Sequence, residues 1–205
     1  MTPVTVTVQS VGLLLAAGAG QRFDAGVPGR KLEAPMAQGS VFSCALDTLG
    51  GCVDAVVVVM RGEGGLIAQY ARQAGARIVV AVAPERGMGH SLADGVHAID
   101  EAFAGARWLV VALADMPWLQ AATVNRLLDT ARVQDRIVQP VFLGQGGHPV
   151  VFPRRYWPEL MACQGDSGAR DLLRRHALDV LRLDVTDAGV CRDVDVPQDL
   201  VPIPP

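Results

Sequence analysis

The chain has 205 residues, half of them hydrophobic, which is enough for one domain with a sizeable core and at most a small appendage. Its net charge of -3 argues against a basic face for nucleic acid, and no apolar run is long enough to span a membrane. Four scattered cysteines fit neither a zinc site nor a disulfide framework, and residues 3–10 lack the features of a signal peptide, so we expect a cytoplasmic protein with reduced thiols.

Strand-like and helix-like segments alternate along the whole chain. The predicted strands are 11–17, 53–60, 77–82, 108–113, 137–143, 149–152 and 179–185. The predicted helices are 42–49, 66–73, 90–103, 121–131 and 167–175. This alternation predicts a three-layer α/β/α domain with a mostly parallel central sheet.

The first predicted strand runs into a glycine loop. Gly18 and Gly20 follow the strand, with Arg22 just after them and Lys31 further on. Glycines let backbone N–H groups approach a phosphate closely, and the two cations add charge of the right sign. The loop is not a dinucleotide fingerprint, because Phe23 replaces the third glycine, and it lacks the spacing and hydroxyl of a P-loop. The alternative is a plain corner with two solvated cations.

Carboxylates follow the strand 108–113 and recur near the end of the chain. Ligands in such sheets bind beyond the carboxyl ends of the strands, so Asp115 is placed to hold Mg²⁺ on a triphosphate. The alternative is an N-cap or turn aspartate, but the position at the strand end favours the metal. Asp193 and Asp195 alternate as on one strand face, and they either complete this site or are edge-strand surface charges.

A second glycine segment leads into the helix predicted at 90–103. Gly87, Gly89 and Ser91 precede or begin that helix, and a helix N-terminus suits an anion or a base edge. The simpler alternative is capping of the helix by Ser91.

Two later loops carry polar residues. His148 lies in a glycine turn, for which a hairpin turn is the alternative. Asp166 or Ser167 is a candidate cap for the helix predicted at 167–175, and Arg170 points either at an anion or at solvent.

The order of these segments resembles one family. The segments are Leu-Ala-Ala-Gly-Ala-Gly-Gln-Arg (15–22) with Arg-Lys-Leu (30–32), Gly-Met-Gly-His-Ser-Leu (87–92), Ala-Asp-Met-Pro (114–117), Gly-His-Pro-Val-Val-Phe (147–152), Gly-Asp-Ser-Gly-Ala-Arg-Asp-Leu (165–172) and Asp-Val-Asp-Val-Pro-Gln-Asp-Leu (193–200). They are similar to the MobA-like NTP transferases that finish the molybdenum cofactor. The Leu-Ala-Ala-Gly form resembles the cytidylyltransferase branch, since the guanylyl branch usually shows Leu-Ala-Gly-Gly.

This resemblance covers nearly the whole chain and implies a Rossmann-like nucleotidyltransferase fold in a single domain, 1–205. Residues 11–118 would bind the nucleotide and residues 119–200 the acceptor. The implied reaction transfers CMP from CTP to the terminal phosphate of molybdopterin with Mg²⁺ and releases pyrophosphate. A molybdoenzyme or its maturation factor is an implied partner.

The resemblance also assigns residues to roles. The nucleotide-binding residues would be Leu15, Ala16, Ala17, Gly18, Gly20, Arg22, Lys31, Gly87 and Ser91. Catalysis would rest on Lys31, Arg22 and Asp115, and the metal on Asp115 and Asp195, with Asp193 as the alternative second ligand. The acceptor-binding residues would be His148, Asp166, Ser167 and Arg170.

The chemistry of the residues agrees with such a transfer. A phosphate nucleophile is already anionic and needs no strong base, and the sequence offers no convincing Ser-His-Asp or Cys-His set. Positioning and charge neutralisation by Lys31, Arg22 and Mg²⁺ would then supply catalysis. The chain departs from the family in a longer loop, 24–29, and in Phe23 where Met is common.

Three alternatives remain open. The chain could use GTP or another phosphorylated acceptor, or it could be a non-catalytic carrier of the molybdenum cofactor, although the retained Lys31 and Asp115 argue against a carrier. The third is an NAD-dependent oxidoreductase, which Phe23 disfavours.

Overall fold

The computed structural model describes residues 8–18, 23 and 30–201. Its strands are β1 (Ser10–Leu15), β2 (Pro35–Met36), β3 (Gly39–Ser40), β4 (Ala55–Met60), β5 (Arg77–Val80), β6 (Trp108–Leu113), β7 (Ile137–Phe142), β8 (Gln145–Gly146), β9 (Val150–Pro153) and β10 (Val180–Asp184). Its α-helices are α1 (Arg30–Glu33), α2 (Val41–Gly50), α3 (Gly65–Gln73), α4 (Met88–Ala102), α5 (Ala121–Gln134), α6 (Trp157–Met161) and α7 (Arg170–Arg175).

Every strand and helix predicted from the sequence forms, with shifted ends. The largest errors are three residues each: α5 continues to Gln134, and α7 begins at Arg170 because residues 167–169 form a turn. The sequence did not predict α1, α6, β8 or the two-stranded sheet of β2 and β3, which are too short to show a periodic pattern.

The main sheet has the strand order β10-β7-β9-β6-β1-β4-β5, and β8 pairs with β7 beside this path. β1 runs parallel to β4 and β6, β4 to β5, and β7 to β10, whereas β9 runs antiparallel to both β6 and β7. The chain returns from β7 to β9 in a few residues, too short for the crossover that a parallel neighbour needs. The predicted α/β class with a mostly parallel sheet is confirmed.

Alternation along β1 divides the core between the two faces of the sheet. Leu13 packs with Leu92 and other residues of α4, whereas Leu14 packs on the opposite face with residues of α2 and α5 such as Leu46. All of these leucines are almost completely buried. Helices therefore cover both faces of a central strand.

This arrangement brings three strand ends to one edge of the sheet. Because β1 lies between β4 and β6 and is parallel to both, the loops that follow these strands emerge side by side. Strands from both predicted halves, 11–118 and 119–200, belong to the same sheet. Within the described residues, no helix has the length and apolar character needed to cross a bilayer.

Candidate active site

A cavity of about 890 Å³ lies at the carboxyl edge of β1, β4 and β6. Most of the residues that the sequence assigns to the nucleotide line it. They are Leu15, Ala16, Ala17, Gly18, Lys31, Gly87 and Ser91. Asp115, Asp195 and Asp166 border the same cavity, so side chains from distant parts of the sequence share one space. This volume is in the range of small-molecule sites.

Lys31 connects two carboxylates at the floor of the site. Its Nζ lies 2.7 Å from Asp115 Oδ2 and 3.0 Å from Asp195 Oδ1. The short helix α1 carries Lys31, and its side chain is only 11% exposed. Burial alone would lower the pKa of Lys31, but the charge of Asp115 and the hydrogen bonds to both carboxylates outweigh it and raise this pKa above 10.5, so the ammonium is charged.

Different parts of the chain position Asp115 and Asp195 beside Lys31. Asp115 directly follows β6 and lies six residues before α5, so it is not the cap of that helix. Asp193 and Asp195 do not lie on a strand, and the interpretation of an edge strand is wrong. Instead, the Val194 N–H donates to the Asp115 carbonyl at 2.9 Å, and the Asp199 carboxylate accepts from the Asp195 N–H at 2.8 Å. Backbone contacts thus fix the second carboxylate segment against the first.

Asp115, Asp193 and Asp195 form a cluster suited to a metal ion. One oxygen from each lies within 4.8 Å of the others. The Asp115 Oδ1 atom is buried without a hydrogen-bond partner in the described part of the chain, so its capacity to accept a bond or a cation is unused there. Partial enclosure of the Asp193 carboxyl, and then the charges of Asp115 and Asp195, raise its pKa. Three carboxylates suit a hard divalent cation such as Mg²⁺.

Arg61 is a cation of the site that sequence reasoning missed. It directly follows β4 and lines the cavity, and its Nε donates to the Ala17 carbonyl at 2.8 Å. On the other side, the Ala16 N–H donates to the Val59 carbonyl at 2.8 Å. The rule that selected Asp115, a charged residue after a buried strand, would also have found Arg61.

The glycines at the start of α4 also have a packing role that the sequence did not predict. The helix begins at Met88, so Ser91 lies inside its first turns and does not cap it. The Gly89 N–H donates to the Gly165 carbonyl at 2.7 Å, and a Cβ on Gly87 would lie 2.3 Å from Asp166 Oδ1. These glycines therefore allow close packing between α4 and residues 164–166.

The residues predicted to bind the acceptor lie in different settings within the described structure. Asp166 borders the main cavity, whereas Ser167 donates to Asp171 Oδ2 at 2.7 Å and lines a separate hollow of about 400 Å³. Arg170 is exposed at the start of α7.

His148 is partly buried, and its ring Nδ1 is shielded from solvent with no partner among residues 8–18, 23 and 30–201. Burial lowers the pKa of His148, against the opposing effects of a Val111 backbone hydrogen bond and the Asp115 charge. The charge of Arg170 adds to the lowering, so the imidazole is neutral near pH 7. Among the described residues, His148 is not one of those that line the main cavity.

Comparison with known proteins decides the family. Residues 12–180 match the MobA-like NTP transferase domain. The chain belongs to this family. Purine catabolism protein PucB of Bacillus subtilis (strain 168) is 31% identical over 198 residues, which cover 92% of this chain and 93% of PucB. Nicotine blue oxidoreductase of Paenarthrobacter nicotinovorans is 33% identical over 194 residues, with 90% and 91% of the two chains covered.

Two solved structures have the same fold as this chain. The crystal structure of Rv0371c from Mycobacterium tuberculosis H37Rv has a TM-score of 0.75 and 27% identity, with 94% of this chain and 96% of that chain covered. A complex of Rv0371c with manganese has a TM-score of 0.71 and 26% identity, covering 93% and 95%. The predicted membership is confirmed, and the MobA-like chain has the Rossmann-like nucleotidyltransferase fold.

Part of the predicted site lies outside the described residues. Gly20, Arg22 and the lengthened segment 24–29 belong to this part, so their assignment stays a prediction. Phe23 is described and packs at the margin of the core cluster that contains Leu14. As a MobA-like NTP transferase, the chain belongs to a family that binds nucleoside triphosphates and phosphorylated acceptors.

Proposed function

We propose that this MobA-like chain is a cytidylyltransferase that transfers CMP from CTP to the terminal phosphate of molybdopterin. A phosphate oxygen of the acceptor forms a bond to the α-phosphorus of CTP, the bond between the α-phosphorus and the bridging oxygen breaks, and pyrophosphate leaves. The observation that carries this proposal is the convergence of Lys31, Asp115 and Asp195 on the cavity bordered by residues 16–18.

The nucleotide would lie against residues 16–18. No atom lies within 4 Å of the place where a Cβ of Gly18 would be, so the described structure leaves room for a ligand beside this backbone. Lys31 and Arg61 supply positive charge from the floor and from the end of β4. We include Gly20 and Arg22 in this part of the site on the sequence resemblance.

The carboxylates would hold Mg²⁺. Its proposed ligands are Asp115 and Asp195, with Asp193 within reach, and the unpartnered Asp115 Oδ1 supports this assignment. A bound divalent cation would neutralise negative charge on the triphosphate. The related Rv0371c has been crystallised in complex with manganese, which supports the binding of a divalent cation.

The acceptor side is proposed to include His148, Asp166, Ser167 and Arg170, within a part that spans residues 119–200. Since the nucleophile is an ionised phosphate, none of these residues needs to act as a strong base. Asp166 is the member that borders the cavity, and Arg170 offers an exposed cation for a phosphorylated pterin. The product would then pass to a molybdoenzyme or its maturation factor.

The preference for CTP rests on the Leu-Ala-Ala-Gly form of the first loop. Ala17 is only 5% exposed, and its carbonyl is held by Arg61, so its methyl group helps define the wall of the cavity. A nucleotide panel decides between CTP and GTP.

A second candidate function comes from the relative named nicotine blue oxidoreductase, at 33% identity. Hydride transfer would require a nicotinamide or flavin site. The chain lacks the third glycine of the dinucleotide fingerprint, since Phe23 takes that place. The carboxylate cluster and Lys31 favour a triphosphate instead.

The deciding experiment incubates the purified protein with each of the four NTPs and Mg²⁺, with and without molybdenum cofactor, and measures pyrophosphate release. We expect release with CTP that depends on the cofactor. Release with GTP instead of CTP would mean that GTP is the substrate. No release with any NTP would overturn the proposal. A parallel assay with NADH and nicotine blue tests the oxidoreductase.

A further inference from the structure

Lys31 is the only lysine in the chain, which also contains seventeen arginines. The single lysine lies at the carboxylate cluster. A guanidinium is planar and broad, whereas an ammonium is a compact point charge that fits between two carboxylate oxygens as a small metal ion would. A lysine therefore fits the space between the Asp115 and Asp195 carboxylates better than an arginine would.

The Lys31 ammonium lies in contact with two of the proposed metal ligands. The distances to Asp115 Oδ2 and Asp195 Oδ1 are 2.7 and 3.0 Å. The Lys31 side chain is 11% exposed, so the contact is more enclosed than an ordinary surface ion pair. A divalent cation and this ammonium would repel each other strongly at such separations.

We infer that Lys31 is a built-in occupant of the metal site. Without nucleotide, its ammonium holds Asp115 and Asp195 and keeps the affinity for divalent cations low. When a triphosphate enters the cavity, Lys31 moves to the phosphates and releases the carboxylates. This inference deepens the proposed function and rests on it, because it takes the carboxylate cluster as the metal site proposed there.

The consequence is an order of binding. If the state with free carboxylates is a minor fraction of the nucleotide-free protein, the apparent metal affinity is reduced by that fraction. The nucleotide, or the nucleotide with its own cation, then binds before the free metal does. Removing the ammonium should expose the intrinsic affinity of the carboxylates.

The first test measures Mn²⁺ binding in the absence of nucleotide, by the electron paramagnetic resonance signal of free Mn²⁺. Lys31→Met keeps most of the side-chain length and removes the charge. We expect it to bind Mn²⁺ about tenfold more tightly than the wild type, or more, as for a competent fraction of about one tenth. Arg132→Ala removes a cation from the exposed face of α5 and should match the wild type.

Equal or weaker Mn²⁺ binding by Lys31→Met would overturn the inference. This comparison contains no nucleotide, so its outcome does not depend on transferase activity. Cofactor-dependent pyrophosphate release together with equal Mn²⁺ affinities would leave the proposed function in place and remove this inference alone.

The second test follows the wild-type side chain directly and needs no variant. Growth on ¹³C,¹⁵N-labelled lysine labels only Lys31, the single lysine of the chain, and leaves its ammonium unmodified. We expect the nucleotide that supports turnover to move the Lys31 resonance. If the chemical shift of the Lys31 resonance does not change on saturation with that nucleotide, the inference that Lys31 releases the carboxylates is overturned.

Discussion

The Lys31 ammonium and the Asp115 carboxylate lie 2.7 Å apart, although 84 residues of sequence separate them. Lys31 belongs to α1 beyond the first loop, and Asp115 follows the neighbouring strand β6. The parallel pairing of β1 with β6 brings these two segments to the same edge. A cation and a carboxylate from distant segments thus meet on one cavity, at the edge of the sheet where ligands bind in such folds.

Asp115→Asn should lose most transferase activity while the protein stays folded. The change removes one charge from the cluster, and Asn keeps the shape and a carbonyl oxygen. Since loss of a single charge-stabilising group typically costs 10²–10³ in kcat, we expect a decrease of about 100-fold or more. Pyrophosphate release and circular dichroism provide the two measurements.

Asp129→Asn is the matched control for this variant. Asp129 is 71% exposed on α5 and pairs with Arg132, so its change should leave activity within twofold, as for an ordinary surface position. Near-normal turnover in Asp115→Asn would remove Asp115 from the proposed metal site.

Arg61→Ala should weaken nucleotide binding more than it slows turnover. Arg61 holds the Ala17 carbonyl and places a positive charge at the cavity, so its loss releases the loop and removes that charge. We expect KM for CTP to rise about tenfold, as for loss of a charged hydrogen bond. Arg77→Ala, an exposed cation at the start of β5, should show unchanged KM. Equal KM values in all three proteins would exclude Arg61 from the nucleotide site.

The fold was predictable from the sequence because its signals are local. The valine-rich β4 and the periodic α4 each carry their own pattern, and both formed within a few residues of the predicted ends. The order of strands was not predictable in this way. β9 lies between β6 and β7, and this placement depends on how both faces of the sheet pack. The sequence of a single segment does not encode that packing.

The site was predictable only in part, for a related reason. Asp115 occupies a position that a rule about strand ends selects, and Lys31 is selected as a cation after the first glycine loop. The approach of Asp195, in contrast, depends on the bond from the Val194 N–H to the Asp115 carbonyl. No spacing in the sequence predicts that contact. Gly89 shows the opposite case, since a phosphate-like glycine pattern serves packing against Gly165.

Asp54→Asn should lower stability at neutral pH without changing the site. The Asp54 carboxylate accepts from the Gln9 and Ser10 N–H groups and from Ser10 Oγ, which ties β4 to the start of β1. Burial opposes its ionisation, but these hydrogen bonds outweigh it and lower the pKa below the ordinary 3.8. Because the group is exposed, we expect a loss of about 1 kcal/mol in the free energy of unfolding.

The pH dependence of this effect has a definite sign. A lowered pKa in the folded state stabilises the protein above the ordinary value of 3.8, and the contribution disappears as the pH falls through the folded value. Urea unfolding of wild type and Asp54→Asn should therefore differ more at pH 7 than at pH 3. Glu101→Gln, a change at an exposed carboxylate of α4, serves as control. A larger difference at pH 3 would contradict the assignment.

Gly87→Ala should damage the contact between α4 and residues 164–166. Gly87 has a φ of +102°, and an added Cβ would meet Asp166 Oδ1 and the Gly165 backbone at 2.3–2.6 Å. Gly75 has a similar positive φ of +75° with nothing within 4 Å, so Gly75→Ala isolates the backbone strain, about 1–2 kcal/mol. Gly87→Ala should lose more stability than Gly75→Ala in thermal unfolding. Equal losses would mean that residues 164–166 move aside without cost, which would contradict the prediction.

Arg170→Ala should affect use of the acceptor more than binding of CTP. Arg170 is exposed at the start of α7, and it is not among the described residues that line the nucleotide cavity, so it can offer charge to a phosphorylated pterin without touching the nucleotide. We expect KM for the acceptor to rise several-fold, as for loss of one exposed ionic contact, with KM for CTP unchanged. Arg174→Ala, in the same helix and paired with Asp171, removes the same charge and should leave both constants unchanged. Equal changes in the two constants for Arg170→Ala would end the division of the chain into nucleotide and acceptor sides, because a residue that serves one ligand cannot shift both alike.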